Sequence, residues 1–175
     1  MNDLLSAIAR RFEDKPSQLR VVRKMLSHGI SVRNGSIYCN DVEITYAALA
    51  RACGVDQRVV VEVIRTISSD GYLKGVFEKM RAVPNLAFLA RELGYGALEI
   101  AANDPTRKGI VAEVTSIIAS EGLSIKQVIA EDPELFEEPR LYVITDRPVP
   151  ESAISFIIGR ACAVSGAGMY PSVLA

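Results

Sequence analysis

The stretch Asn103-Asp104-Pro105-Thr106-Arg107-Lys108-Gly109 brings together an amide, a carboxylate, two cations and a turn-forming glycine. Ile110, Val111, Val114, Ile117 and Ile118 follow at the spacing of one apolar helix face. A polar loop that ends on a helix start leaves backbone N–H groups without intrahelical acceptors. The positive end of the helix dipole adds to them, so this junction favours a carboxylate or another anion. An Asp beside it supplies an acceptor for a cation, and the pair suits a zwitterion.

A second constellation lies upstream, in TYAALARACGVDQRVVVEVIRTISSDGYL. Two short helices around Gly54-Val55-Asp56 fit a helix-turn-helix. Gly54 permits the turn and Asp56 is a good N-cap. Leu49, Ala50, Val60 and Val63 then pack inward. Gln57, Arg58, Val61, Glu62 and Arg65 fall on the outer face, where a recognition helix meets base edges or phosphates. Arg58 and Arg65 are the phosphate or guanine candidates, and Val61 suits a thymine methyl. Arg51 on the first helix and Arg33 upstream fit backbone phosphates. The competing reading of RVVVEVI as a buried strand rests on its β-branched residues.

Catalysis has little to work with. The only histidine, His28, falls in the last turn of a helix and reads as its cap. Cys39, Cys53 and Cys162 are odd in number, far apart and set in apolar patterns, which suggests packing thiols in a reducing, cytoplasmic compartment. There is no Cys-x-x-Cys, no His-Glu-x-x-His and no Gly-x-Gly-x-x-Gly, so neither a metal nor a cofactor is implied. Glu137-Glu138 sits in an acidic loop and reads as a solvated face. The expectation is a protein that is not an enzyme.

The elements that must position these residues follow from periodicity. Residues 2–13 make an amphipathic helix, and Pro16 opens a second one to Ser27, with Gly29 just past its end. Asn34-Gly35 between β-prone runs marks a hairpin, and Asn40-Asp41 turns again. Tyr72-Leu73-Lys74 reads either as the stub of a wing or as the start of another helix. Residues 85–93 suggest a short helix capped by Asn85. Beyond Gly94-Tyr95-Gly96 the order becomes strand (98–102), helix (110–121), strand (124–130), acidic loop, strand (141–145), a helix from Glu151 that Gly166-Ala167-Gly168 ends, and a last strand over 169–174 with Pro171 at an edge position. This is the β-α-β-β-α-β order of a ferredoxin-like unit, with both helices on one face of an antiparallel sheet. The expected division is 1–83, a connecting helix over 84–95, and 96–175, in an α+β chain. Charge divides in the same place. Residues 1–95 hold 14 Lys+Arg against 10 Asp+Glu, and residues 96–175 hold 6 against 11. A net +4 front and −5 back suggest units with different partners. No apolar run is long enough to span a bilayer, and MNDLLSAIARRFEDK lacks the pattern of a signal peptide.

Asn103-Asp104-Pro105 followed by Gly109-Ile110-Val111-Ala112-Glu113-Val114-Thr115 is similar to the Asp-x-Pro-Gly motif and helix of ACT domains, with Thr106, Arg107 and Lys108 inserted between proline and glycine. The whole chain resembles prokaryotic, mainly archaeal, regulators of amino-acid metabolism that join an N-terminal winged-helix-like helix-turn-helix to a C-terminal ACT domain. That resemblance is carried by Ile37-Tyr38-Cys39, Gly54 to Val60, Leu93 to Gly96, and Gln127 with Ala130 to Leu135. It implies an amino acid bound at the first strand–helix loop. Backbone N–H groups near Gly109 and Ile110 would hold its carboxylate, and Asn103 or Asp104 its ammonium, with Lys108 adding charge. Ser124, Ile125 and Gln127 would come from the same or a neighbouring subunit of a homodimer or higher oligomer. It further implies DNA as a partner. The alternative is an adaptor that senses an amino acid and binds a biosynthetic enzyme through its N-terminal domain.

Overall fold

The computed structural model describes residues 4–136, 138–160 and 164–169. The chain is α+β and divides into two compact units, residues 1–83 and 84–175.

In the first unit, α1 (Leu4–Phe12) and α2 (Pro16–Ser27) lead into a three-stranded antiparallel sheet, β1 (Ile30–Arg33), β2 (Ser36–Cys39) and β3 (Val42–Ile44), ordered β1-β2-β3. Asn34 and Gly35 have φ of 51° and 81°, the two left-handed residues of a tight hairpin turn. Asn40, φ 53°, makes the next turn. Its side-chain amide donates to Ala82 O (3.1 Å) and accepts from Ala82 N–H (3.0 Å), which ties the end of the unit to the sheet.

Then come α3 (Tyr46–Cys53), α4 (Gln57–Ser69) and α5 (Gly71–Lys79). The Thr45 hydroxyl caps α3 through Ala48 N–H, and the Asp56 carboxylate caps α4 through Arg58 N–H. Gly54 ends α3 in the left-handed region. The RVVVEVI run is thus helical: its β-branched residues sit on an amphipathic face with Val60, Val63, Ile64 and Ile67 buried. Residues 72–74 belong to a helix and not to a wing. Asp70 accepts from Tyr72 and Leu73 N–H, and Leu73 and Phe77, one turn apart, enter the core. The small sheet of this unit precedes the helix pair. One core joins all eight elements, with Phe12, Met25, Ile37, Leu49, Ile67 and Phe77 at its centre.

The second unit opens with a single 3₁₀ turn, Leu86–Leu89, capped by Asn85 through Ala87 N–H. It replaces the longer connecting helix expected over 85–93. After it come β4 (Gly96–Ala102), α6 (Ile110–Ser120), β5 (Ile125–Ala130), β6 (Leu141–Thr145), α7 (Glu151–Arg160) and β7 (Val164–Met169). The sheet is antiparallel in the order β5-β6-β4-β7. The last strand lies earlier than expected. Gly166-Ala167-Gly168, read as a helix stop, lies within β7, with Ala167 and Gly168 paired to Ile100 and Glu99 of β4, and residues 170–175, with Pro171, lie outside the described residues.

The sheet is covered on both faces. Leu98, Ile100, Leu141 and Val143 meet Ile110, Val114, Ile117 and Ile118 of α6 and Ala153, Ile154 and Ile157 of α7. Tyr142, Ile144 and Ala97 meet Leu86 and Ala87 of the 3₁₀ turn. Coverage on both sides explains why all five residues of β6 are buried and why LYVIT does not alternate in polarity. A register shift in β5 between Ile125 and Gln127 swaps faces, so Ile125 packs under the helices and Ile129 against the 3₁₀ side.

Candidate functional site

The loop between β4 and α6 is organised by its own side chains. Asp104 Oδ1 accepts from Thr106 N–H (3.0 Å) and from the Thr106 hydroxyl (2.6 Å), and Arg107 N–H donates to Asp104 O (3.2 Å). The Thr106 hydroxyl, followed by the Thr106 N–H, holds the Asp104 carboxyl below the ordinary carboxylate range. Gly109 then starts α6 with φ +93° and no side-chain cap. A residue with a Cβ is strained at that φ. The first N–H groups of α6 therefore have no capping side chain from residue 109, while Glu113 N–H begins the helical ladder on Gly109 O (2.9 Å). The Arg107 guanidinium donates to both oxygens of Glu113, at 3.0 and 2.7 Å, and pins the loop to the first turn.

A cavity of about 490 Å³ opens against this helix start, within the size range of small-molecule sites. Ile100 and Ala102 of β4, Ile110, Val111 and Ala112 of α6, Ala130 at the end of β5, and Leu141 at the start of β6 form its mostly apolar walls. Pro105, Arg107, Gly109, Glu131, Pro139 and Arg140 complete the rim. Glu131 and Arg140 close the β5–β6 connection by two bonds, Glu131 N–H to Arg140 O and Arg140 N–H to Glu131 Oε2, both 2.9 Å. Arg140 is further engaged by Glu138 (2.7 Å) and Glu99 (3.7 Å).

Of the ligand residues expected from sequence, Gly109 and Ile110 line this cavity. Asn103, Asp104 and Lys108 are exposed loop residues outside its lining. Ser124, Ile125 and Gln127 do not join it within the chain. The helix α6 carries the chain back along the sheet, so β5 begins at the far end and only its last residue, Ala130, reaches the loop. Gln127 instead fastens the entry segment of this unit, its amide donating to Pro84 O (2.9 Å) and accepting from Leu86 N–H (2.9 Å). Ser124 pairs with Asp146 through Ser124 N–H to Oδ1 (3.0 Å) and Asp146 N–H to Ser124 O (2.8 Å). The wall residues Ile100, Ala102, Val111, Ala112 and Leu141 escaped sequence reading because each follows an ordinary core pattern. Arg107 stood in the inserted triplet, and its i+6 partner Glu113 was its one local signal.

On the helix pair, Arg51, Gln57, Arg58, Glu62 and Arg65 are exposed and Val61 is half-buried. Glu62 and Arg65 form an ion pair at 3.0 Å one turn apart. Arg33 is half-buried. Its guanidinium lies 4.1 Å from the centre of the Tyr38 ring and donates to Asn40 O, so cation–π attraction and a backbone acceptor hold it to the sheet. Cys39 is half-buried and Cys53 buried, both as free thiols; Cys162 and Glu137 lie outside the described residues. Burial pushes the Cys53 thiol above its usual range. Among the described residues no group of His, Cys, Asp or Glu side chains gathers as a metal site, and no helix is long and apolar enough to cross a membrane.

Comparison with models of known protein families gave no match, and a search of curated proteins gave no significant match.

Proposed function

We propose that the chain is a ligand-responsive transcription regulator, with a sensor in residues 84–175 and a DNA-binding helix pair in residues 1–83. The observation that carries the reading is the cavity at the α6 start. A helix N-terminus led by Gly109 faces a space walled by Ile100, Ile110, Val111 and Leu141. Backbone N–H groups suit a carboxylate there, and the apolar walls suit a hydrocarbon side chain. The ligand is an α-amino acid with an apolar side chain. The β5-β6-β4-β7 order under two helices supports a ferredoxin-like, ACT-type unit. In this reading the regulator is a homodimer, in keeping with paired half-sites.

The DNA-binding assignment rests on the capped α3–Gly54–α4 pair and the exposed Arg51, Arg58 and Arg65. Gel retardation of genomic fragments at graded salt tests it. Salt-sensitive retardation is expected from the full chain and its loss from an Arg58→Ala, Arg65→Ala double variant. Full retention by that variant refutes the assigned face.

The enzyme-binding adaptor has one observation in its favour: Glu62 neutralises Arg65 in the middle of the outer face. Capture of a biosynthetic enzyme by the full chain, with no salt-sensitive DNA binding, would establish that reading instead.

A further inference from the structure

The helix α2, PSQLRVVRKMLS, carries three cations and no carboxylate. Arg20, Arg23 and Lys24 stand at i, i+3 and i+4, on one face of the helix, opposite the buried Val21, Val22 and Met25. Like charges at these spacings repel each other, and an isolated helix gains nothing from them. Arg20 and Lys24, one turn apart, give α2 a positive edge on that face.

The stripe lies beside the turn of the helix pair. Arg20 Nη1 donates to Cys53 O (3.4 Å), and a Cβ on Gly54 would stand 4.0 Å from the same nitrogen. Lys24 lies one helical turn on from Arg20, on the same face of α2. Arg20 is exposed, Lys24 is half-buried, and the exposed Arg58 lies in the first turn of the next helix, four residues past Gly54. The carboxylate at the turn, Asp56, is committed to capping α4 through Arg58 N–H (2.8 Å).

We propose that Arg20 and Lys24 form a second phosphate-contacting surface beside the helix pair, taking the backbone of duplex nucleic acid. The inference rests on the reading of α3 and α4 as a DNA-binding element. It adds a helix that contacts phosphates and reads no bases, so it contributes affinity and orientation without sequence preference.

The test uses the full chain and a labelled random duplex of about 30 base pairs, with affinity measured across salt concentrations. An Arg20→Gln, Lys24→Gln variant is expected to bind more weakly and to lose about 1.8 from the slope of log affinity against log salt, about 0.9 for each phosphate contact. An Arg10→Gln, Lys79→Gln variant, with the same loss of charge on other helices, keeps the parent slope. Arg20→Lys also keeps it, which separates the charge from the hydrogen bond to Cys53 O, and thermal unfolding confirms that each variant is folded. If the parent binds and the Arg20, Lys24 variant binds with an unchanged slope, the proposal fails and the helix-pair reading stands. If the parent shows no salt-dependent binding, both fail.

Discussion

Arg107 grips Glu113 with two parallel hydrogen bonds, 3.0 and 2.7 Å long, across the turn that opens α6. The contact fixes the inserted triplet Thr106-Arg107-Lys108 against the helix and holds Arg107 at the rim of the cavity. Both side chains are more than a third exposed, at 37% and 42%, so solvent screens the pair. Arg107→Ala and Glu113→Gln are expected to destabilise the fold singly, and a double-mutant cycle by chemical denaturation should give a coupling of about 0.3–1 kcal/mol. A coupling of zero would mean that the pair does not organise the loop.

Gly96 begins β4 where there is no room for a side chain. A Cβ would lie 2.5 Å from both Arg147 O and Thr145 Oγ1. Thr145 is fully buried, and its hydroxyl donates to Arg147 O (2.8 Å), so neither neighbour yields easily. Gly96→Ala should cost about 1–3 kcal/mol, read as a lower denaturation midpoint with an unchanged slope. A neutral result would show that β4 and the 145–148 turn separate freely.

Two carboxylates set the acid limb of stability. The Leu73 N–H first, and then the Arg11 guanidinium, hold Asp70 below its ordinary range, and Thr106 does the same for Asp104. A carboxyl with a lowered folded-state pKa stabilises the fold above its unfolded value near 4. That contribution is lost as pH falls through the still lower folded value. The unfolding midpoint should therefore decline below about pH 4. Asp70→Asn should flatten that decline, and an identical acid limb in the variant would contradict the assignment.

Much of the local structure is legible in residue types. Asn34-Gly35, Pro16 and Asp56 each signal an element boundary by a short-range rule, and the structure places a turn or a helix start at each. The misreadings arise where local signals conflict. At α5 the signals left wing and helix both open, because Gly71 and Gly75 oppose the helix while Asp70 with Leu73 and Phe77 carries its pattern. Gly166 and Gly168 read as breakers, yet both lie in β7, where Gly168 pairs with Glu99. The cavity is the least legible feature, because Ile100, Val111, Ala130 and Leu141 meet through sheet pairing and helix packing across some forty residues. Gln127 is the same case: its bonds to Pro84 and Leu86 span 43 and 41 positions, and no nearby residue signals them.

If the cavity beside Gly109 takes an apolar amino acid, thermal unfolding of the full chain against each proteinogenic amino acid will show it. A ligand at about a hundred times its dissociation constant stabilises by about 2.7 kcal/mol, a shift of several degrees. Such a shift is expected with one or more apolar amino acids and its loss in Ala112→Phe, which fills the cavity from an exposed position on α6. No shift with any amino acid at millimolar concentration, or an undiminished shift in the folded Ala112→Phe variant, would contradict it.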